Sequence, residues 1–194
     1  MPAMLPLILA SASPRREFLL HEMGLKFTVV RPDNVEELTG GLAPEVLATH
    51  NAQRKARAVA GHHPGTRVLG ADTIVVLDGV IFGKPRDRAD AARMLGQLAG
   101  RAHDVFTGVC LATHGSRDIC FCERTRVWMK SLTADQIRDY HDKVNPLDKA
   151  GAYGAQEFGA TIIERIDGSF SNVMGLPVER LRQVLEQRVA PLAS

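Results

Sequence analysis

Leu5 to Ala10 is a near-continuous apolar run, the pattern of a strand covered on both faces. Ser13 offers an N-cap and Pro14 sits at the first helical position, which predicts a helix from Pro14 to about Met23, stopped by Gly24. Phe27 to Val30 reads as a second strand, leading into the acidic turn Asp33-Asn34-Val35-Glu36-Glu37. Pro44 opens another helix, with Val46, Leu47, Ala56 and Val59 directed to the core and Gly61 at its end. After the turn His62-His63-Pro64-Gly65, a strand begins at Val68-Leu69 and continues through Ile74-Val75-Val76-Leu77. Asp78-Gly79 then makes a hairpin turn.

Asp87 caps a predicted helix from Arg88 to Leu98, closed by Gly100. A second hairpin is expected between His103–Leu111 and Asp118–Met129, turning near His114-Gly115-Ser116. Thr133 and Gln136 form a capping box for a helix to about His141. A loop rich in small residues follows, then a strand near Thr161–Ile166, a turn at Asp167-Gly168 and a last helix from Pro177 to about Val189. Helices interleave with strands while two hairpins supply antiparallel pairs. The expected fold is therefore α/β, a mixed twisted β-sheet with flanking helices. There is no internal repeat and no low-complexity linker.

Composition narrows the class. With 194 residues, 45% of them hydrophobic, the chain suits one compact domain over 1–194, built as two lobes, with a core that needs no disulfide or structural metal. A net charge of +2 and a pI of about 8.5 lie below those of a dedicated nucleic-acid binder, and no basic stripe with stacking aromatics is present. Three cysteines, Cys110, Cys120 and Cys122, without framework spacing, read as a reduced, cytoplasmic protein. Cys120 and Cys122 point to one face of a strand, but zinc needs two further ligands at workable spacing and none follows, so they read as packed side chains. Leu5–Ala10 followed by Ser11-Ala12-Ser13 has the outline of a signal peptide, yet no Lys or Arg precedes the run and the run is short. No stretch approaches the roughly 18 apolar residues of a membrane span. The first segment reads as a buried strand.

Four segments carry polar chemistry in unusual places. Ser11-Ala12-Ser13-Pro14-Arg15-Arg16 follows the first strand directly, where a helix N-terminus presents free N–H groups and the positive end of its dipole. Two arginines and two hydroxyls add donors for phosphate oxygens; the alternative is a plain N-cap with a solvated basic first turn. Gly70-Ala71-Asp72-Thr73 puts a carboxylate inside an apolar strand, where it must be paired, bind a metal or carry a shifted pKa. Lys55, on the Pro44 helix, and Lys84, between Gly83 and Pro85, are individually ordinary solvated lysines and gain weight only from their company. Asp148-Lys149-Ala150-Gly151-Ala152-Tyr153-Gly154-Ala155-Gln156-Glu157 is either a flexible loop or a backbone that wraps a ligand, with Gln156 able to read a base edge.

Together these segments resemble the Maf family of nucleotide pyrophosphatases, over about Leu7 to Leu185. The resemblance rests on Ser11-x-Ser13-Pro14-Arg15-Arg16, Gly70-Ala71-Asp72-Thr73, Gly83-Lys84-Pro85, Asp148-Lys149-Ala150-Gly151-Ala152-Tyr153-Gly154 and Gly175-Leu176-Pro177, in the family order. It implies a two-lobed fold like that of the inosine triphosphate pyrophosphatases, with Asp72 as the catalytic acid/base. Ser11, Ser13, Arg15, Arg16, Lys55 and Lys84 would bind the substrate, and Glu36 would help Asp72 hold a divalent cation, Mg²⁺ or Mn²⁺. The family's acidic turn often reads Asp-Ile-Asp-Glu; here Asp33-Asn34-Val35-Glu36 leaves Glu36 as the matching carboxylate. Arg15, Thr73 and Gln156 fall where the family sets substrate preference. The branch acting on 7-methyl-GTP has Trp in place of Arg15 and Gln in place of Thr73, so the sequence resembles the branch acting on dTTP and UTP. The resemblance also implies a homodimer and a role in removing non-standard nucleotides.

The implied reaction breaks the anhydride between the α and β phosphates, releasing monophosphate and pyrophosphate. Asp72 takes a proton from the attacking water, while cationic side chains neutralise and align the phosphate chain. Three other readings compete: a different modified nucleotide such as 7-methyl-GTP, a non-catalytic nucleotide-binding regulator of cell division, and a P-loop kinase. The last fails because the chain has no GxxxxGK[ST] segment.

Overall fold

The computed structural model describes residues 6–33 and 35–187. Leu5 and Asn34, and the end of the last helix expected at Val189, lie outside the described residues. The elements run β1 (Leu7–Ala10), α1 (Pro14–Glu22), β2 (Phe27–Val30), α2 (Pro44–Ala60), β3 (Arg67–Leu77), β4 (Val80–Phe82), α3 (Arg88–Leu98), β5 (Ala102–Thr113) and β6 (Ile119–Met129). There follow α4 (Ala134–Lys143), a 3-10 turn at Ala150–Ala152, α5 (Gly159–Ile162), β7 (Ile163–Asp167), α6 (Phe170–Met174) and α7 (Val178–Gln187).

One sheet of seven strands runs in the order β2-β1-β3-β5-β6-β7, with β4 paired to β3. β1 is parallel to both β2 and β3, while β3, β5, β6 and β7 run antiparallel, each to its neighbour. The expected mixed sheet is what forms. Its long central strands, β3 and β5, are matched residue for residue from Arg67 opposite Thr113 to Val76 opposite Asp104.

Three of the local signals act as the sequence predicts. Asp87 accepts from the Asp90 N–H at 2.7 Å, and Thr133 with Gln136 makes a complete capping box. Asp78 and Gly79 both have positive φ, 49° and 79°, the geometry of a tight hairpin turn. Val46 differs: it is 53% exposed, because the first turn of α2 faces the sheet through Leu47 and Ala48, which are fully buried, and Val46 lies beside that face. The strand expected from Thr161 starts later, since Gly159–Ile162 closes a helical turn first, and the short helix α6 has too few residues to show a periodicity.

The two faces are covered differently. On one face, β1, β3 and β5 pack on α1, α6 and α7 through Leu9, Leu69, Val109, Leu20 and Leu181. Further along the same strands, Val75, Val105, Val127 and Met129 pack on α3 and α4 through Leu95, Leu98, Ile137 and Tyr140. These two cores are the two lobes. On the opposite face, among the described residues, the covering helix is α2, which packs through Ala52, Ala56 and Val59.

The contact of α2 is unusually close. A Cβ on Gly70 would lie 2.3 Å from the Ala52 carbonyl oxygen and 2.8 Å from the Ala56 nitrogen. At Gly108 it would lie 2.3 Å from the Ala48 carbonyl. Both positions therefore exclude any side chain, and the helix backbone rests directly on the sheet.

Candidate active site

A cleft of about 940 Å³ opens between the two lobes. One wall is the junction of β1 with α1. Ser13 holds the N-cap position with extended backbone, but its hydroxyl makes no capping hydrogen bond. Ser11, buried, accepts instead: from the Ser13 N–H at 3.1 Å and from Arg16 Nη1 at 3.3 Å. Arg16 also donates through Nε to the Gly175 carbonyl at 2.8 Å and through Nη2 to Thr73 Oγ1 at 3.0 Å. Burial lowers the guanidinium from its ordinary value, and the charge of Asp72 opposes that shift. The three partners are neutral oxygens, so its charge is left to an anion in the cleft. Thr73 continues the polar seam between the lobes, sharing a 2.9 Å bond with Thr107, which in turn donates to the Asn172 carbonyl.

The floor is Asp72, 6% exposed in the middle of β3. A carboxylate at such depth must be paired, and it is. Lys55 Nζ donates to Oδ1 at 2.7 Å and Asn51 Nδ2 to Oδ2 at 3.1 Å. Asn51 and Lys55 are four residues apart on α2 and so share one helix face. Asn51 has a second task. Its amide accepts from the Leu38 N–H and donates to the Leu38 carbonyl, both at 2.9 Å, which straps residues 35–39 over the helix. That strap brings Glu37 to Lys55, Oε1 to Nζ at 2.7 Å.

The acidic partner of Asp72 thus differs from expectation. Glu36 is exposed and does not line the cleft, whereas Glu37 does. The strap on Leu38 fixes which side chain of this irregular segment faces inward, and nothing in the local sequence shows that choice.

The far wall comes from the second lobe. The Gly151 N–H donates to the Gly83 carbonyl at 3.1 Å, which joins the Gly83-Lys84 turn to the loop from Asn145 to Gln156. Arg15 reaches across the cleft to this loop, bonding Asp148 Oδ2 at 2.7 Å and the Asp148 carbonyl at 3.1 Å. Lys149 is buried, donating to the Asn145 carbonyl at 2.7 Å and Asp148 Oδ1 at 2.9 Å, with Glu157 at 3.3 Å. Burial alone would raise the Asp148 carboxyl; the hydrogen bonds from Lys149 and Arg15 outweigh it and hold the group below its usual value. Gln156, exposed at the rim, donates to Glu157 Oε1 at 3.0 Å, so its amide oxygen is the free end. Behind the loop, Tyr153 meets His103 Nε2 at 2.7 Å, and Tyr140 brackets both backbone groups of Gly154. The loop is thus a tied structure rather than a flexible one.

Ser11, Ser13, Arg15, Arg16, Lys55, Asp72, Thr73, Lys84 and Gln156 all line this one cleft. Sequence reading gave no site role to Asn51, Glu37, Arg31 or Lys149, although Glu37 and Lys149 lie in segments it singled out. Asn51 left its own sign, the four-residue spacing from Lys55. Six cationic side chains and four carboxylates line the walls, so the cleft favours an anion. Asp72 and Glu37 set carboxylate oxygens around a single ammonium, a hard donor pair that suits a hard divalent cation.

The cysteine expectation also needs correction. Cys120 does find further ligand-type neighbours: Cys110 on β5 and Asp118 at the hairpin end lie within 4.8 Å of it and of each other. They come from across the ladder, which spacing along one strand does not reveal, and Cys122 stands apart from the group. These residues are outside the cleft lining.

Residues 6–188 match the sequence profile of the family described as Maf-like protein. The chain belongs to the Maf family. It is 47% identical over 186 residues to the dTTP/UTP pyrophosphatase of Symbiobacterium thermophilum, covering 96% of this chain and 95% of that one. It is 42% identical to the dTTP/UTP pyrophosphatase of Bacillus velezensis, covering 93% and 95%. Among solved structures it resembles a HAM1 protein from Coxiella burnetii, with a TM-score of 0.56 and 18% identity over 95% of this chain and 100% of that one. The Ham1 protein of Staphylococcus aureus gives a TM-score of 0.54 at 15% identity, covering 94% and 99%. These two show the fold of the Maf chain alone. Among the described residues no helix is long and apolar enough to cross a membrane.

Proposed function

We propose that this Maf protein hydrolyses dTTP and UTP to the nucleoside monophosphate and pyrophosphate. The observation that carries the reading is Asp72: a carboxylate buried on the cleft floor, with Lys55 and Asn51 fixing both oxygens. The dTTP/UTP pyrophosphatase names of its full-length relatives support the same substrate class.

The residues divide the work by position. Arg16, Ser11, Lys55 and Lys84 meet the phosphate chain and neutralise its charge. Arg15 leaves Asp148 to join them, or bridges both, as substrate enters. Asp72 accepts the proton of the water that attacks the α phosphorus. Asp72 and Glu37 would hold a divalent cation, Mg²⁺ or Mn²⁺, which supplies charge stabilisation for the leaving pyrophosphate. A triphosphate carries more negative charge than the cationic surplus of the cleft, and that cation makes up the difference. Gln156 lies at the rim, where its free amide oxygen accepts from a pyrimidine imide N–H. The same reading takes the protein as a cytoplasmic homodimer, whose mass sedimentation at assay concentration would read.

Kinetics of Asp72→Asn test the proposal. Loss of a positioned base costs about 100- to 10,000-fold in kcat. The substitution keeps the side chain's shape but only one acceptor oxygen for the two donors, Lys55 and Asn51, so the thermal midpoint should fall and kcat is read below it, on folded protein. A folded Asp72→Asn protein with wild-type turnover would remove Asp72 from the mechanism.

A further inference from the structure

Outside the cleft, β5 and β6 bring two thiols face to face. Cys110 and Cys120 are direct partners in the antiparallel ladder, and their sulfurs lie 2.9 Å apart, sharing a hydrogen bond. Partners in such a ladder have Cα atoms about 4.5–5.5 Å apart, within the range a disulfide spans. Cys110 is fully buried against Ala52 and Ala56 of α2, while Cys120 is only partly buried. Asp118 lies beside them, but its Oδ2 already accepts from Gln53 at 2.8 Å and from Arg57 at 2.5 Å.

Two chemistries compete for this cluster, metal binding and thiol oxidation. Around a tetrahedral zinc, with Zn–S near 2.3 Å, two thiolates would stand about 3.7 Å apart. The pair here is much closer, and the Arg57 guanidinium on Asp118 adds positive charge where a cation would have to sit. The geometry favours bond formation between the sulfurs.

We propose that Cys110 and Cys120 form an oxidant-sensitive dithiol that a peroxide converts to a cross-strand disulfide. The Cys120 thiolate attacks one peroxide oxygen; the O–O bond breaks, Cys120 becomes a sulfenic acid and the departing hydroxide takes a proton to leave as water. The Cys110 sulfur then attacks the Cys120 sulfur. The S–S bond forms, the S–O bond breaks, and the second hydroxide leaves as water with the Cys110 proton. Two thiols are oxidised and one peroxide is reduced to two waters.

Cys120 is the attacking group on exposure and on charge. The hydrogen bond it shares with Cys110 holds its thiol below the ordinary value, against the opposing effects of burial and Asp118, and Arg57 adds to the lowering. Burial pushes the neighbouring Cys122 up to about 11, with Glu45 adding to the rise. Cys122 is therefore an internal control two residues away.

The test treats the full chain with hydrogen peroxide in metal-free buffer, alkylates the remaining thiols and maps the peptides without reduction. Cleavage after Arg117 separates Cys110 from Cys120, and fragmentation distinguishes Cys120 from Cys122 within one peptide. The expected product links Cys110 to Cys120, leaves Cys122 alkylated, and returns to three thiols with dithiothreitol. Cys122→Ser should form the same link, and Cys120→Ser should form none. The assignment fails if Cys110 and Cys120 stay alkylated while Cys122 oxidises, or if Cys120 passes to higher acids without a link. Equimolar zinc bound by wild type and lost in Cys120→Ser would also overturn it, in favour of a metal site. If Cys120→Ser does not fold, by a thermal melt, the wild-type and Cys122→Ser maps still decide. None of these readouts depends on nucleotide turnover.

Discussion

Asp72 and Asn51 sit side by side in the cleft, yet their substitutions should fail in different ways. Asp72→Asn removes the base together with the charge that Lys55 pairs, but leaves the Leu38 strap in place. Asn51→Ala removes the partner of the Asp72 carboxylate and both hydrogen bonds that strap Leu38. Buried hydrogen bonds lost in this way cost about 1–3 kcal/mol, so Asn51→Ala should lower both the urea midpoint and kcat. An unchanged midpoint would mean that the strap is not holding residues 35–39. Gln156 makes a third case. It is exposed at the rim, so Gln156→Ala should leave the midpoint alone while reducing kcat/KM for dTTP and UTP about tenfold. Equal loss for purine and pyrimidine triphosphates would argue against base reading. At this scale the sequence showed the site well wherever a residue broke the local pattern. Asp72 interrupts an apolar strand and Arg15-Arg16 opposes a helix dipole, and both reach the cleft. Glu37 broke nothing, and only the Asn51 strap, made across the fold, selects it over Glu36.

Among the elements, α2 carries the most function per contact. It supplies Lys55 and Asn51, and it reaches Asp72 only because Gly70 and Gly108 let its backbone touch the sheet. A methyl group at Gly70 has to displace the helix, since the atoms it meets are backbone. Overpacking of this kind costs about 1–3 kcal/mol, so Gly70→Ala should lose stability by that amount. It should also lose activity beyond what stability explains, because moving α2 separates Lys55 from Asp72. Stability loss with unchanged kcat would show that the contact serves packing alone. The helices and long strands were legible from periodicity, Pro–Gly punctuation and capping residues. The cross-strand meeting of Cys110 with Cys120, the 3-10 turn at Ala150–Ala152 and α6 were not. Short turns have no period, and register between strands is set by the whole sheet.

At the scale of the molecule, the cleft exists because two cores lie along the same strands with a polar seam between them. The second lobe holds its share of the cleft through buried polar contacts, and these respond to pH. Burial lowers His103 to about 4 from an ordinary 6.5, where it meets Tyr153, and lowers His141 as well. Between those values the unfolded chain takes up a proton that the folded His103 does not. Its contribution is therefore complete above pH 6.5 and is lost as pH falls toward 4, amounting to about 3 kcal/mol. His103→Gln should flatten that acid loss in thermal melts without removing it, since His141 remains. An identical slope in both proteins would show that His103 is not the group responsible.

The bond that is broken in the triphosphate is read from the products. Purified protein with Mg²⁺ or Mn²⁺ would be offered dTTP, UTP, other common triphosphates and 7-methyl-GTP, with monophosphate, diphosphate, phosphate and pyrophosphate resolved by chromatography. Monophosphate and pyrophosphate should form from dTTP and UTP in equal amounts, and about 100- to 10,000-fold more slowly with Asp72→Asn. Diphosphate with phosphate, or turnover of 7-methyl-GTP in their place, would contradict the proposed function.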